Sequence, residues 1–410
     1  MLRVPAKKIE PGMVLARPIS IRCGRERVTL HRNDKVPVEL APKLAQMGVQ
    51  EVWIRHPRLE FLDGMFDGEL AEEQRVLYGQ IRQNFERVMH GVAPQMDLTH
   101  FNASLRDLFD YLKRHKTGAV MLQKVDDYDG YLLTHSTNVC FLAIVLGFRL
   151  RDYIRQQQAS DTEDDASHLQ LLGLGCLLHD IGKTQIPPKI LDKPARLTDQ
   201  EMTQVRRHPI HGYKIVQGHV PATVADIVLN HHQRWNGEGY PERTDPRTGE
   251  SLPRLAGERI SIYSRIATVV DIYDAATSER CYSGAKPSVQ VLHEMRTWCR
   301  GFFDPRVEQA FYELIPPFPI GQVVTLSDGS EAVVVDFDPD APARPRIQIL
   351  RDLHGREPSN PAREEIDLAN DDRSIVQLDE LDIRPFLASP PPPLDVPCET
   401  VEVAAVPNPV

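Results

Sequence analysis

The stretch LQLLGLGCLLHDIGK, residues 169–183, decides the fold of the central part of the chain. Its largely apolar first part is typical of a buried helix, and it runs directly into His179 and Asp180. Gly182 then interrupts the helical pattern, and Lys183 follows it. A helix that ends on an imidazole and a carboxylate brings two good ligands for a divalent metal ion to one point. Alone, such a pair would more often cap a helix than bind a metal.

Further ligand-type side chains accompany this pair along a succession of predicted helices. Asp271 lies inside the apolar stretch 262–276, where a carboxylate is costly to bury unless it is paired or bound to a metal. Each of the accompanying histidines, taken singly, is about as easily a structural residue as a ligand, but together they favour a metal centre. These histidines are His135, His208, His231 and His232. The predicted helices span 131–155, 168–180, 199–216, 221–233, 260–277 and 287–300.

The regions on either side of these helices show different patterns. The first residues mix short β-type runs at 13–15, 28–30 and 52–54 with a helical stretch at 39–47. Near the other end, β-type runs at 322–326 and 332–335 are joined by a hairpin signal at 327–329. We therefore predict a small α+β domain at 1–65, a helical linker at 66–119, a helical domain at 120–315, a β-rich module at 319–384 and a disordered Pro-rich tail at 385–410.

Composition limits the class of protein. The chain has 410 residues, with 48 basic and 58 acidic residues, and this net charge of −10 argues against a binder of DNA or RNA polymers. The six cysteines are scattered without a CxxC pair, as is usual in a reducing cytoplasm. No stretch reaches the ~18–20 apolar residues of a membrane helix. The sequence predicts a soluble, cytoplasmic protein that does not insert into a membrane.

The ordered motifs of the helical region resemble those of the HD-GYP family, which are phosphohydrolases of the HD superfamily that hydrolyse cyclic di-GMP. The resemblance covers residues 120–315, and the N-terminal stretch IEPGMVLARPI also resembles an accessory domain found ahead of such domains. It implies a multi-domain protein in which a central all-α HD-type helical bundle lies between the small α+β and β-rich modules. The motifs are THSTNV (134–139), LLHDIGKTQIPPKILDKPARLT (177–198), RHPIHG (207–212), HHQRWNGEGYP (231–241) and VVDIYDAATSERCYS (269–283).

The resemblance also implies a cofactor and roles for individual residues. Two divalent metal ions would be bound, iron or manganese first and zinc or nickel as alternatives, with Asp180 bridging them in a catalytic role. Lys183 would be catalytic and bind a substrate phosphate, although a solvated lysine after a helix end is its alternative role. Arg280 would lie near the guanine or phosphate, and Tyr240 belongs to the GYP loop beside the substrate. The implied metal ligands are His135, His179, Asp180, His208, His231, His232 and Asp271.

The implied reaction is hydrolysis of cyclic di-GMP to pGpG, GMP or both. Beyond the substrate, the partners to expect are a diguanylate cyclase or other signalling protein, and a second copy of the chain as a homodimer. Gln233 and Asn236 stand where the family usually has acidic residues, which leaves open a non-catalytic receptor for cyclic di-GMP. A phosphohydrolase acting on another nucleotide is a further alternative. Tyr131 replaces a glutamate that holds a third metal in some members, so two metals are expected.

Overall fold

A computed structural model of the chain describes residues 1–65 and 131–387, apart from gaps at 24–25, 45–48, 50, 159–164, 194, 246, 279–284 and 359–364. The middle of the described chain is helical, and β-structure lies on either side of it in sequence. The predicted linker at 66–119 and most of the predicted tail lie outside these residues. Residues 385–387 of that tail belong to a short helix, α11 (Arg384–Leu387), in which the Phe386 ring packs against His293.

The helical region forms one apolar core to which the helices at its centre contribute continuously buried faces. The helices are α1 Tyr131–Arg149, α2 Arg151–Gln157, α3 Asp165–Leu178, α4 Pro188–Leu191, α5 Asp199–Val205, α6 His208–Val216, α7 Ala222–Asn230, α8 Ile262–Thr277, α9 Ser288–Trp298 and α10 Pro305–Leu314. Helices α1 and α3 pack against each other, α8 packs against both, and α7 packs against α3 and α8.

Several predicted helices differ from the observed ones at their ends. The predicted helix at 199–216 is two helices, because Pro209 lacks an N–H and starts a new helix in the first turn of α6. Helix α10 was not predicted, although Asp304 caps it by accepting hydrogen bonds from the main-chain N–H groups of Arg306 and Val307. The predicted helices at 168–180 and 221–233 end two to three residues early, at Leu178 and Asn230. Their paired ligand residues therefore lie just beyond the helix ends.

The N-terminal module consists of two small antiparallel sheets. Strand β1 (Leu2–Pro5) pairs with β4 (Glu51–Ile54), and β2 (Ile19–Cys23) pairs with β3 (Glu26–Leu30). The predicted runs at 28–30 and 52–54 are therefore strands, whereas the run at 13–15 makes only isolated bridges. The described part of the predicted helix at 39–47 is a single 3₁₀ turn, Ala41–Lys43.

The C-terminal module is a six-stranded antiparallel sheet with strand order β10-β9-β5-β6-β7-β8. The predicted strands at 322–326 and 332–335 are confirmed as β5 and β6, and the turn at 327–329 joins them. The elements are β5 Val323–Leu326, β6 Glu331–Asp336, β7 Arg346–Arg351, β8 Glu365–Asp367, β9 Ile375–Leu378, β10 Leu381–Asp382 and α11 Arg384–Leu387.

The two terminal modules share a core. Met1, Leu59 and Leu62 belong to the same buried cluster as the inner face of the C-terminal sheet. The main-chain N–H of Arg3 donates to the carbonyl of Gly321 at 2.9 Å, just before β5. Regions at opposite ends of the sequence thus pack together, which local sequence patterns do not reveal. No helix in the described ranges is both long and apolar enough to cross a membrane.

A close approach at Gly182 fixes the position of the HD motif relative to α6. The 3₁₀ helix Ile181–Gln185 follows α3 and packs on α6. A Cβ at Gly182 would overlap the carbonyl oxygen of His208 and the main-chain nitrogen of Gly212. Because both neighbours are backbone atoms, only a residue without a Cβ lets the end of α3 lie this close to the start of α6.

We expect Gly182→Ala to lower the free energy of unfolding by about 2–3 kcal/mol, since the added methyl group has to displace backbone. Thermal denaturation followed by circular dichroism measures the change. Gly218→Ala is the control, because Gly218 has a φ of +79° but a Cβ added to it would meet no heavy atom within 4 Å. It should cost only about 1 kcal/mol. Equal melting temperatures for the two variants would contradict the packing argument.

Candidate metal centre

Helix ends deliver most of the candidate ligands to one buried point. His179 and Asp180 follow the end of α3, and His231 and His232 follow the end of α7. The remaining three come from the body of α1, the first residue of α6 and the middle of α8. All seven predicted ligand residues are at most 6% exposed and lie together: His135, His179, Asp180, His208, His231, His232 and Asp271.

Main-chain carbonyls orient three of the imidazoles. The Nδ1 atoms of His179, His208 and His231 lie 2.5, 2.9 and 3.0 Å from the carbonyl oxygens of Cys176, Val205 and Val228. A carbonyl can only accept, so each Nδ1 carries the proton and donates it. When the ring is neutral, each Nε2 therefore presents a lone pair towards the buried centre. In each case the acceptor is the residue three positions earlier, in the last turn of the preceding helix.

The inward-facing nitrogens lack the partners that buried acceptors need. Nε2 of His208 and Nε2 of His231 lie 3.2 Å apart, and in the tautomers just described neither has a proton to share. Nε2 of His179 has no hydrogen-bond partner within the described part of the chain, and neither has Nε2 of His232. Leaving buried acceptors unsatisfied costs about 1–3 kcal/mol each. A bound cation would satisfy them, so the site fits a metal.

The carboxylate of Asp180 lies between two groups of ligand atoms. Its Oδ2 is 3.4 Å from Nε2 of His179 and 3.6 Å from Nε2 of His135, whereas its Oδ1 is 3.2 Å from Nε2 of His208. Imidazole and carboxylate together suit iron, manganese, zinc and nickel. Ligand atoms lie within 4.8 Å of one another in three sets: His135, His179 and Asp180; His179, His231 and Asp271; and His208, His231 and His232.

The charges of the site favour a cation. Burial raises the pKa of Asp180, but Lys183 and His179 outweigh it and hold that pKa well below its usual range. Burial likewise opposes ionisation of Asp271, yet the neighbouring His135 and His179 keep its pKa low. Burial, with the nearby His179 and His208, lowers the pKa of His231 to about 3. Two ionised carboxylates and neutral imidazoles form a suitable donor set for a divalent ion.

His179 differs from the other histidines of the site. Burial lowers its pKa, but the carboxylates of Asp180 and Asp271 outweigh burial and raise the pKa to about 10. Without a metal, its imidazole is therefore itself a cation between two carboxylates. A bound metal ion would take over this charge, and the ring would then be neutral.

Lys183 is part of the buried site. It is 5% exposed, and its Nζ donates to Oδ2 of Asp180 at 2.7 Å. The alternative of a solvated lysine is therefore wrong. The ammonium group lies beside the carboxylate that joins the two ligand groups.

The GYP loop packs on the edge of the site. The ring of Tyr240 stacks on that of His232, with centroids 4.5 Å apart. The main-chain N–H of Tyr240 donates to the main-chain carbonyl of His232 at 3.1 Å. Gly239 permits this approach, because a Cβ there would lie 2.5 Å from the Cα of Gln233 and from the carbonyl oxygen of His232. The loop thus brings an aromatic side chain against a candidate ligand.

Gln233 and Asn236, which replace acidic residues of the family pattern, stabilise this loop. Nε2 of Gln233 donates to the carbonyl of Pro241 at 2.8 Å. Asn236 bonds to Glu238 through both its amide nitrogen and its oxygen. Neither residue belongs to the ligand sets, so the charge lost at these positions removes no candidate ligand. Arg280 lies outside the described residues, as does the side chain of Tyr131 at the start of α1.

Asp274 is a residue of the site that the sequence analysis missed. Its Oδ2 accepts a hydrogen bond from Nδ1 of His135 at 2.8 Å, while Nε2 of His135 lies 3.0 Å from Oδ1 of Asp271. Asp274 is 0% exposed. The signal was available, because a second aspartate three residues after Asp271 in an apolar helix lies on the same helix face.

Comparison with known proteins identifies the two larger regions. Residues 149–307 match the model of the HD domain, and residues 323–378 match that of the KOW domain associated with the HD domain. A cyclic di-GMP phosphodiesterase of Pseudomonas aeruginosa is 33% identical over 265 residues, which is 64% of this chain and 58% of that protein. The cyclic di-GMP phosphodiesterase response regulator of Xanthomonas campestris is 34% identical over 145 residues, 35% of each chain.

A 3'3'-cGAMP-specific phosphodiesterase of Vibrio cholerae is 30% identical over 139 residues, 33% of this chain and 24% of that protein. The chain thus spans less than two thirds of the length of each of these relatives. The HD and KOW matches, the order of the motifs and the helical fold agree with one another. The chain therefore contains a region that matches the HD domain, followed by one that matches the KOW domain associated with it, and it is similar to cyclic di-GMP phosphodiesterases.

Proposed function

We propose that the chain is a metal-dependent phosphohydrolase that cleaves the phosphodiester bonds of cyclic di-GMP to give pGpG, GMP or both. The observation that carries the proposal is the position of Asp180, whose two oxygens face different groups of buried imidazoles. A carboxylate in this position suits two neighbouring metal ions, the arrangement that many phosphoryl-transfer sites use. Relatives named as cyclic di-GMP phosphodiesterases support the choice of substrate.

The proposed cofactor is a pair of divalent ions, with iron or manganese as the first choice. In the proposed division both ions share Asp180, and Asp271 is assigned to the ligands from α1 and α3 because its Oδ1 lies 3.0 Å from Nε2 of His135. We assign one ion to His135, His179, Asp180 and Asp271, and the other to His208, His231, His232 and Asp180.

When bound, the ions would lower the pKa of a coordinated water molecule and neutralise charge on the phosphoryl oxygens. The chain's own residues orient the substrate for in-line attack. The ammonium of Lys183 can exchange its bond to Asp180 for one to a phosphoryl oxygen, where it stabilises the charge that develops in the transition state. Asp274 holds the His135 ring in place, and Tyr240 covers His232 at the edge of the site.

The alternative of a non-catalytic receptor rests on Gln233 and Asn236. Both residues stabilise the GYP loop and neither belongs to a ligand set, so an enzyme is the better-supported function. The alternative of another nucleotide substrate keeps the same chemistry, and the Vibrio cholerae relative makes 3'3'-cGAMP the substrate to compare.

The proposed domain boundaries remain those predicted from the sequence, at 1–65, 66–119, 120–315, 319–384 and 385–410. A separate buried cluster for the helical region supports the division, although the two terminal modules share a core. The cytoplasm is the proposed location, and a diguanylate cyclase, another signalling protein or a second copy of the chain are the proposed partners.

The decisive experiment uses purified protein loaded anaerobically with iron(II) or manganese(II). Cyclic di-GMP and 3'3'-cGAMP are supplied in parallel, and the products are separated by chromatography. We expect pGpG or GMP from cyclic di-GMP at the higher rate. Tight binding of cyclic di-GMP without turnover would instead identify a receptor, and faster cleavage of 3'3'-cGAMP would change the substrate.

The first prediction concerns the shared carboxylate. Asp180→Asn should remove most bound metal and reduce hydrolysis to background, because a neutral amide cannot bridge two cations. Metal analysis by mass spectrometry and the hydrolysis assay measure the two effects, while circular dichroism should show an intact fold. Asp152→Asn is the control, since that carboxylate is exposed on α2. Full metal occupancy with normal turnover in Asp180→Asn would refute the assignment.

The second prediction concerns Asp274, which contacts a ligand rather than the metal. Asp274→Asn should weaken metal affinity about 10–100-fold, the usual cost of losing a carboxylate that orients a metal-binding histidine. Competition with a chelator of known affinity measures the change. Asp226→Asn is the matched control, because this carboxylate bonds only to Asn230 and Ser264 among the described residues. An equal loss of affinity in both variants would mean that the effect is structural.

The third prediction concerns Lys183. Lys183→Ala should retain its metal, because the ammonium competes with cations for Oδ2 of Asp180. Its kcat/KM should fall about 10–1000-fold through loss of positive charge at the phosphate. Steady-state kinetics and metal analysis decide the matter, with exposed Lys189→Ala as the control. Loss of metal in Lys183→Ala would show that the lysine builds the site rather than serving the substrate.

A further inference from the structure

A second cationic side chain lies at the edge of the metal centre. Arg206 is exposed in the turn between α5 and α6, two residues before His208. Its guanidinium carbon lies 5.7 Å from the centroid of the Tyr240 ring, and that ring stacks on His232. The guanidinium is thus two ring contacts away from a candidate metal ligand, on the solvent side of the GYP loop.

The guanidinium of Arg206 is available for an anion. Among the described residues, no carboxylate oxygen lies within 4.0 Å of the guanidinium, which makes a cation–π contact with the Tyr240 ring. The buried Arg265 shows the opposite situation, because its guanidinium contacts Asp304 at 2.5 Å and Gln157 at 2.7 Å. Arg265 holds helices together, whereas among the described residues no such carboxylate or amide partner engages the guanidinium of Arg206.

The chemistry of the proposed substrate requires two cationic sites. A cyclic dinucleotide carries two phosphodiester groups, each with one negative charge, and only one of them can react at a time. Lys183 is buried within the centre and serves the reacting group. The other phosphate has to lie outside the ligand cluster, towards the rim, where desolvating it without a positive partner would cost binding energy. A guanidinium suits this task, since its planar donors match two phosphate oxygens at once.

We propose that Arg206 binds the non-reacting phosphate of a cyclic dinucleotide, and that it thereby favours cyclic dinucleotides over substrates with a single phosphate. The proposal rests on the proposed function of the metal centre and specifies which residue recognises the second half of the substrate. Tyr240 positions the guanidinium through its ring face, while His208, on the same turn, belongs to the metal site.

The neighbouring residue provides a matched control. Arg207 is also exposed, carries the same charge and directly precedes α6, but the ring contact with Tyr240 belongs to Arg206. Arg206→Ala and Arg207→Ala therefore change the net charge of the protein equally, and a general electrostatic effect would appear in both. Arg206→Lys keeps the charge and removes the planar pair of donors.

The experiment compares two substrates on the metal-loaded full chain. Cyclic di-GMP has two phosphates, and bis(p-nitrophenyl) phosphate has one. For Arg206→Ala we expect KM for cyclic di-GMP to rise about tenfold, which corresponds to about 1.4 kcal/mol, with kcat within about twofold of wild type. Kinetics with bis(p-nitrophenyl) phosphate should not change. Arg206→Lys should recover part of the KM, and Arg207→Ala should behave as wild type.

Competition of cyclic di-GMP against hydrolysis of bis(p-nitrophenyl) phosphate by the metal-loaded full chain gives an independent reading, and the apparent Kd for cyclic di-GMP should also rise about tenfold in Arg206→Ala. Unchanged KM and Kd for cyclic di-GMP in Arg206→Ala would overturn the inference, as would an equal loss on both substrates or an equal effect of Arg207→Ala. Failure of the wild-type protein to hydrolyse either substrate would overturn the proposed function itself, which is a different outcome from a wild-type enzyme that is insensitive to Arg206.

Discussion

The hydrogen bonds from three imidazoles to main-chain carbonyls are the interactions on which the site depends. The last carbonyls of any helix lack partners within the helix. In this chain, those of Cys176, Val205 and Val228 accept the Nδ1 protons of the histidines that come three residues later. These hydrogen bonds satisfy carbonyl groups at the helix ends, and they also fix each imidazole in the tautomer that a metal ion needs. The candidate ligands therefore lie where the helices end.

This arrangement explains why the surrounding packing is so close. Three helix ends can meet only if the backbones approach one another, and Gly182 and Gly239 stand where any Cβ would overlap main-chain atoms. The cluster that results contains two ionised carboxylates and several unsatisfied nitrogens within an apolar core. Buried nitrogens without partners lower the stability of the fold, and a bound cation would satisfy them, so metal binding and the stability of the helical domain are linked.

Much of this site could be predicted from the sequence, because its parts are local. A run such as His179-Asp180 at the end of an apolar helix indicates both a helix end and a pair of candidate ligands, and the seven residues expected to share a site lie together. Asp274 was missed because its partner, His135 on α1, is distant in sequence, and the spacing of residues along α8 does not reveal that contact. The hydrogen bond from Gln233 to Pro241 in the GYP loop could not be predicted either, since Pro241 lies in a loop, whose conformation the periodicity of helices and strands does not reveal. The shared core of the terminal modules depends on contacts between distant parts of the chain, which periodicity does not encode.

That shared core has a mechanical consequence. Met1, Leu59 and Leu62 are buried with the C-terminal sheet, and Val289 of α9 and Phe318 belong to the same cluster. The two ends of the described chain thus pack against each other and against the last part of the helical domain. A ligand or a force that displaces one terminal module therefore has to break these apolar contacts or move the other module as well. In the second case, both modules would act on the helical domain together, through α9.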